Sequence, residues 1–100
     1  MRGEIVNQRD EMLLKLNDVH TFPGPYLFKV IGPNSDDFVA KIVQAVINAS
    51  GPDLEHDVST RESSGGNHMS VSITITAESA EHVMEVYEIF GSIEEIKYML

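Results

Sequence analysis

Apolar and polar residues alternate along residues 68–76, "HMSVSITIT", as they do in a strand with one buried face. The residues of the buried face are Val71, Ile73 and Ile75. The residues of the other face are Ser70, Ser72, Thr74 and Thr76. The pattern therefore predicts a strand that turns a row of hydroxyl groups away from the core.

Three further segments have strand character. Residues 26–31 are rich in aromatic and β-branched side chains and are ended by Gly32 and Pro33. Residues 54–63 alternate weakly and are mostly polar, which is typical of an edge strand. Gly65 and Gly66 then allow a tight hairpin to the hydroxyl-bearing strand. Residues 95–100 form the last predicted strand, with Ile96, Tyr98 and Leu100 on one face and Glu95, Lys97 and Met99 on the other.

Helical periodicity predicts two long helices and a short one. Residues 35–49 follow a cap at Asn34 or Ser35 and place Asp36 and Asp37 where the helix dipole favours acids. Residues 79–90 begin with Ser79 as cap. Residues 9–19 form a short helix that Asp10 could cap. Its apolar stripe is Met12, Leu13, Leu16 and Val19.

The order β-α-β-β-α-β predicts an α+β ferredoxin-like sandwich over residues 21–100, preceded by a mobile extension at residues 1–20. The four antiparallel strands are expected in the order 4-1-3-2, with both helices on one face. The hydroxyl row then lies in the middle of the other, open face. The apolar residues predicted on that open face are Leu27, Ile31 and Met99. We expect the apolar stripe of residues 9–19, a second copy of the chain or a partner to cover them.

Composition narrows the functional classes. The net charge of −9 disfavours nucleic acids and anionic membrane surfaces as partners. The chain has no cysteine and no apolar run of membrane-spanning length, which favours a soluble cytoplasmic protein. The residues "MRGEIVNQRDEM" lack the apolar segment of a secretory signal.

Catalytic and cofactor chemistry finds little support in the motifs. The four histidines show no metal-binding spacing, so no metal or other cofactor is expected. Asp36 and Asp37 are interpreted as helix-start residues, which also disfavours a phosphate at that helix. No nucleophile–base motif is present, and the central strands lack the aromatic residues of an RNA-recognition sheet. We therefore expect a protein without enzymatic activity.

Several stretches resemble the YbeD-like family of small bacterial proteins of unknown function. The resemblance extends from about Leu16 to Leu100 and includes Phe22-Pro23, Lys29-Val30 before Gly32, Ser70-Val71-Ser72 and a closing strand after Gly91. The chain departs from the family pattern at His68, where an aromatic residue is usual, and in its N-terminal extension. The resemblance implies a ferredoxin-like fold similar to the ACT regulatory domain. It also implies an amino-acid ligand at the loop containing Gly32, Asn34 and Ser35.

The open face supplies the main functional hypothesis. Lys29 and Lys97 are expected on adjacent strands, at positions where the resembled family is basic. We expect a docking surface for an acidic partner or an anionic ligand, formed by Lys29, Ser70, Ser72, Thr74 and Lys97. The expected function is thus a non-catalytic regulatory or adaptor module that binds a protein or a small molecule. The alternatives are an amino-acid sensor, a small enzyme and a structural subunit, and a homodimer is possible.

Overall fold

The computed structural model describes residues 8–53 and 55–100 and has an α+β architecture. The elements in chain order are α1 (Gln8–Val19), β1 (Gly24–Pro33), α2 (Asp36–Ser50), β2 (His56–Glu62), β3 (His68–Ala77), α3 (Ala80–Gly91) and β4 (Tyr98–Met99). The predictions for residues 1–7 and for Leu54 lie outside the described residues.

The four strands form one antiparallel sheet in the order β2-β3-β1-β4. Counted from the β4 edge, this is the order 4-1-3-2 expected from the sequence. β1 and β3 are central, pair along all ten of their residues and carry the strongest apolar content. Among the described residues, the polar strand β2 forms one edge of the sheet.

The core lies between one face of this sheet and the helices α2 and α3. The strands contribute Phe28, Val30, Val71, Ile73 and Ile75, and the two helices contribute Phe38, Ile42, Val46, Val83, Val86 and Phe90. All of these side chains are at most 2% exposed. Because the helices cover one face only, the opposite face of the sheet stays open.

Side-chain caps start α2 and α3. Ser35 Oγ accepts a hydrogen bond of 3.1 Å from the Phe38 backbone N–H, and Ser79 Oγ accepts one of 3.1 Å from the His82 N–H. A cap residue satisfies one of the free N–H groups of the first turn, so both helix starts follow from local sequence. α2 ends at Gly51, whose φ of 96° lies in the region that favours glycine.

α1 differs from its prediction. The described helix begins at Gln8, so Asp10 lies within its first turn and is not the residue that precedes it. Only Leu16 of the expected stripe is buried, while Val19 is 71% exposed. α1 contacts α3, and the Arg9 guanidinium pairs with Glu88 at 3.0 Å. The stripe of α1 therefore adds to the helical layer and does not cover the open face.

The last strand is much shorter than the predicted 95–100 and has the opposite facing. Val30 pairs with Met99 and Ile31 pairs with Tyr98. Directly paired residues of antiparallel strands share a face. Met99 thus lies on the core side with Val30, and Tyr98 lies on the open side with Ile31, so the prediction of Met99 on the open face and Tyr98 on the other was wrong.

A series of tight turns explains the shift. The backbone nitrogens of Ser92, Ile93 and Ile96 each donate to the carbonyl three residues earlier, so residues 92–96 are compact and not extended. Pairing with β1 starts only when the Lys97 nitrogen donates to the Ile31 carbonyl at 2.7 Å.

Within residues 8–53 and 55–100, no helix combines the length and the apolar character that crossing a bilayer requires.

Candidate functional site

The open sheet face is ordered in cross-strand rows. The register aligns Ile31, Ser70 and Arg61 in one row, Lys29, Ser72 and Ser59 in the next, and Leu27, Thr74 and Asp57 in a third. Each row thus takes one side chain from β1, one from β3 and one from β2. The hydroxyl row of β3 runs down the middle of the face.

A basic depression of about 410 Å³ occupies the end of this face nearest the β2–β3 turn. Lys29 of β1, Arg61 of β2, and His68 and Ser70 of β3 line it. The other residues of its wall are Ile31, Glu62, Ser63, Ser64 and Met69. Two cationic side chains, an imidazole and a hydroxyl therefore converge from three strands.

The cations of this depression are not neutralised within the described part of the chain. The ion pairs between described residues are Arg9–Glu88 and Lys41–Glu95, and both involve helix residues. The Lys41 ammonium holds the pKa of the Glu95 carboxyl below its ordinary range. Lys29 and Arg61 have no such partner among residues 8–53 and 55–100, which leaves their charge available to a ligand.

The opposite end of the open face is acidic. A depression of about 450 Å³ there is lined by Pro25, Glu55, His56, Asp57, Thr74, Ile75 and Thr76. A neighbouring depression of similar volume adds Asp53 and Glu78. Basic and acidic side chains thus occupy opposite ends of one flat surface.

The loop between β1 and α2 uses its predicted ligand residues structurally. Gly32 is buried, and a Cβ atom at this position would overlap the ring of Phe38. Ser35 caps α2. Asn34 Nδ2 donates to the Gly66 carbonyl at 2.8 Å and to Glu62 Oε1 at 3.2 Å. Asn34 therefore ties this loop to the hairpin beside the basic depression.

One serine–histidine contact invites a catalytic interpretation. Ser50 Oγ lies 2.5 Å from His82 Nε2, and Ser50 lines the acidic-end depression. However, His82 Nδ1 accepts the Glu78 backbone N–H at 3.1 Å and so carries no proton. The proton of the neutral ring is on Nε2, which donates to Ser50. A general base must accept the serine proton instead, so this contact is a structural link between two helix ends.

The structure separates some of the predicted site residues. Lys29 and Ser70 line the basic depression, and Ser72 lies in the row beside it. Thr74 lies in the row of Asp57 and lines the acidic depression. Lys97 is exposed just before β4, and Tyr98 takes the open-face position beside Ile31.

Arg61 and His68 are the site residues that the sequence did not identify. The weak alternation of residues 54–63 predicts Arg61 on the open face but assigns it no role in a site, and His68 stands out in the sequence only as a departure from a family pattern. The informative signal is the length of the hairpin turn, because it determines which residue of β2 lies beside Ser70.

Comparison with known proteins covers most of the chain. The family model described as a protein of unknown function (DUF493) matches residues 17–100. The UPF0250 protein SG0794 of Sodalis glossinidius is 38% identical over 89 residues, which are 89% of this chain and all of that protein. UPF0250 protein YE3006 of Yersinia enterocolitica and UPF0250 protein YbeD of Salmonella arizonae are each 37% identical over the same shares.

A family model that spans most of the chain and full-length relatives above 35% identity lead to one assignment. The chain belongs to the DUF493 family, the YbeD-like UPF0250 proteins of unknown function.

Proposed function

We propose that this protein is a non-catalytic binding module that holds an acidic segment of another protein on its open sheet face. One observation carries the proposal. In a chain of net charge −9, Lys29 and Arg61 meet in one depression without an ion-pair partner among the described residues. Uncompensated cations that converge in a concave site favour an anionic ligand.

The chemistry of the depression suits carboxylates on an extended chain. The Arg61 guanidinium can bind a carboxylate through two parallel hydrogen bonds, and Lys29 adds a point charge in the next row. The Ser72 hydroxyl supplies a further donor, while the Ser70 hydroxyl donates to the Arg61 backbone carbonyl at 3.4 Å. Leu27, 55% exposed, and the half-buried Ile31 offer apolar area beside them. The charges mainly set orientation and association rate, while the apolar contacts add affinity.

A titration of labelled protein with a capped hexaglutamate peptide tests the proposal. We expect chemical-shift changes at Lys29, Arg61 and Ser70, and none with a capped hexaglutamine peptide. Arg61→Gln should weaken the hexaglutamate response several-fold. Lys15→Gln, which removes an exposed charge on α1, is the matched control. Equal responses to both peptides, or an unchanged response in Arg61→Gln, would contradict an electrostatic site.

Crossovers that join β1 to β2 through α2 and β3 to β4 through α3 support a ferredoxin-like sandwich, with the ACT-like regulatory character that this implies. We place such a module in the cytoplasm.

The amino-acid alternative is less favoured because Gly32, Asn34 and Ser35 already have structural contacts. Millimolar titration of the twenty amino acids tests it, and shifts confined to these three residues would favour it.

A further inference from the structure

The separation of charge along the open face gives this surface a property beyond the binding of an acidic partner. Arg61 and Asp57 of β2 share the open side of the sheet, Arg61 in the basic depression and Asp57 in the acidic one. Glu55, just before β2, lines the acidic depression with Asp57. A surface with one pole of each sign complements a copy of itself turned end over end.

We propose that two copies of the chain associate face to face through their open sheet faces. A two-fold axis between the two sheets, running across the strands at the level of Phe28, Ile73 and Val58, gives this arrangement. The axis keeps β2 over β2 and reverses its direction. Arg61 of each copy then lies opposite Glu55 of the other, and both ion pairs form at once.

The same two-fold rotation also brings the other open-face positions of the two copies opposite each other. Counting from the axis, Ser72 lies opposite Thr74 of the second copy, and Ser70 lies opposite Thr76. At the roughly 10 Å spacing of packed sheets, these short side chains leave room for a water molecule that bridges the two hydroxyls of each pair. Lys29 lies opposite Leu27 of the second copy, where its aliphatic stem covers an apolar side chain that is 55% exposed. The hydroxyl row becomes the centre of a polar interface.

The dimensions of the face predict a weak dimer. β1 and β3 are ten residues long, so each runs for roughly 33 Å at about 3.3 Å per residue. β2 and β4 have only seven and two residues, so at about 3.3 Å by 4.8 Å per residue the face measures roughly 450 Å², and both copies together bury roughly 900 Å². An interface below about 1,200 Å² is typical of weak, reversible association. Two sheets packed about 10 Å apart at a small crossing angle are a common arrangement.

This inference rests on the proposed function because both use the open sheet face. A second copy of the chain would therefore compete with the acidic partner for that face. Sedimentation of the full chain at about 150 mM salt is the direct measurement, since a Debye length of about 8 Å screens the general repulsion between acidic molecules. We expect the mean mass to rise from that of one chain toward that of two between micromolar and millimolar protein.

Substitutions that reverse single charges test whether the dimer forms through the open sheet face. Arg61→Glu alone and Glu55→Arg alone should each shift the association at least tenfold toward monomer, because each opposes like charges. An equimolar mixture of the two variants should dimerise again, since both cross-pairs are then complementary. Lys15→Glu is the control and should leave the association unchanged. Monomer at every wild-type concentration overturns the inference, as does a dimer that persists in both variants, because it uses another surface.

The two proposals fail separately. The hexaglutamate titration is performed at a protein concentration of about twenty micromolar. A protein that dimerises through an interface of this size is mostly monomeric at that concentration. Peptide binding with no dimer leaves the binding function standing and removes the second copy as an occupant. A dimer that follows the charge-reversal pattern without any peptide binding supports self-association and contradicts the binding of foreign acidic segments.

Discussion

Single residues determine how closely the loop between β1 and α2 packs on the core. Gly32 lies in β1 at the end of the strand, where the Phe38 ring fills the space that a side chain would take. Phe38 itself is 2% exposed and is fixed by the Ser35 cap of its helix. The glycine that ends the apolar run in the sequence is therefore required by packing, and its φ does not lie in the left-handed region.

Replacing Gly32 with alanine should destabilise the protein. The new methyl group overlaps a buried aromatic ring, and overpacking of a core typically costs about 1–3 kcal/mol. Chemical denaturation measures the change in the free energy of unfolding. Gly91→Ala is the matched control, because no atom lies within 4 Å of its added Cβ atom. Equal stability of Gly32→Ala and wild type would show that the Phe38 ring can move aside.

A tyrosine pair makes the stability depend on pH in the alkaline range. Tyr87 and Tyr26 join their hydroxyl groups at 3.1 Å, and Tyr87 stands edge-on to the Phe28 ring. Burial first, and then the hydrogen bond to Tyr26, raises the pKa of Tyr87 above its ordinary value. Above about pH 10, the unfolded chain releases this proton while the folded chain keeps it.

The free energy of unfolding should therefore be insensitive to Tyr87 below about pH 10 and fall as the pH rises further. Tyr87→Phe removes the titrating group and should flatten this decline. Denaturation at several pH values between about 8.5 and 11 measures it, with the exposed Tyr98→Phe as control. A decline of the same slope in Tyr87→Phe would assign the effect to other groups.

At the scale of elements, features that depend on local sequence signals could be predicted, while features that depend on tertiary contacts could not. The caps Ser35 and Ser79 and the alternation of β3 are local, and the structure has all three where the sequence predicts them. The facing of β4 depends on where β1 begins to pair with it, and the turns of residues 92–96 delay that point. Arg61 joins Lys29 only through the register of two strand pairs, which periodicity does not encode.

The same contrast explains α1. Its apolar residues show helical spacing, but a short helix is stable only when it docks, and the docking partner is chosen by the tertiary structure. α3 takes Leu16, and Val19 remains exposed. The spacing of apolar residues therefore predicted the helix but could not distinguish its docking on the helices from docking on the open sheet face.

The contribution of the Ser79 cap to the stability of the protein can be measured by substitution. The cap also positions His82, whose backbone N–H donates to Ser79 Oγ. Ser79→Ala leaves the His82 N–H without its acceptor, which typically costs about 1 kcal/mol. Ser79→Asp keeps an oxygen acceptor and adds a charge that the helix dipole favours, so it should retain most of the stability. Thermal unfolding of both variants is the measurement, and equal losses in the two would show that the cap bond contributes little.

At the scale of the whole molecule, the helices and the open sheet face differ in how their charged side chains are paired. The described helices keep two of their cations in ion pairs with acids, while the open face leaves Lys29 and Arg61 unpaired among the described residues. A surface whose charges take no part in holding the fold can be changed without loss of stability. That separation between folding and binding distinguishes a functional face from a structural one.

The double variant Lys29→Ala with Lys97→Ala tests this separation. Lys97 is exposed, Lys29 is half-buried, and neither forms an ion pair with a described acid, so removing both charges should cost less than about 1 kcal/mol and leave the melting temperature nearly unchanged. Hexaglutamate binding should weaken, and the Lys29→Ala single variant should account for most of the loss, because Lys29 lines the basic depression and Lys97 lies beyond it. A melting temperature many degrees lower would make the lysines structural. Unchanged peptide binding in the double variant would reduce the open face to a solvated surface, with serine and threonine serving only to keep an uncovered strand compatible with water.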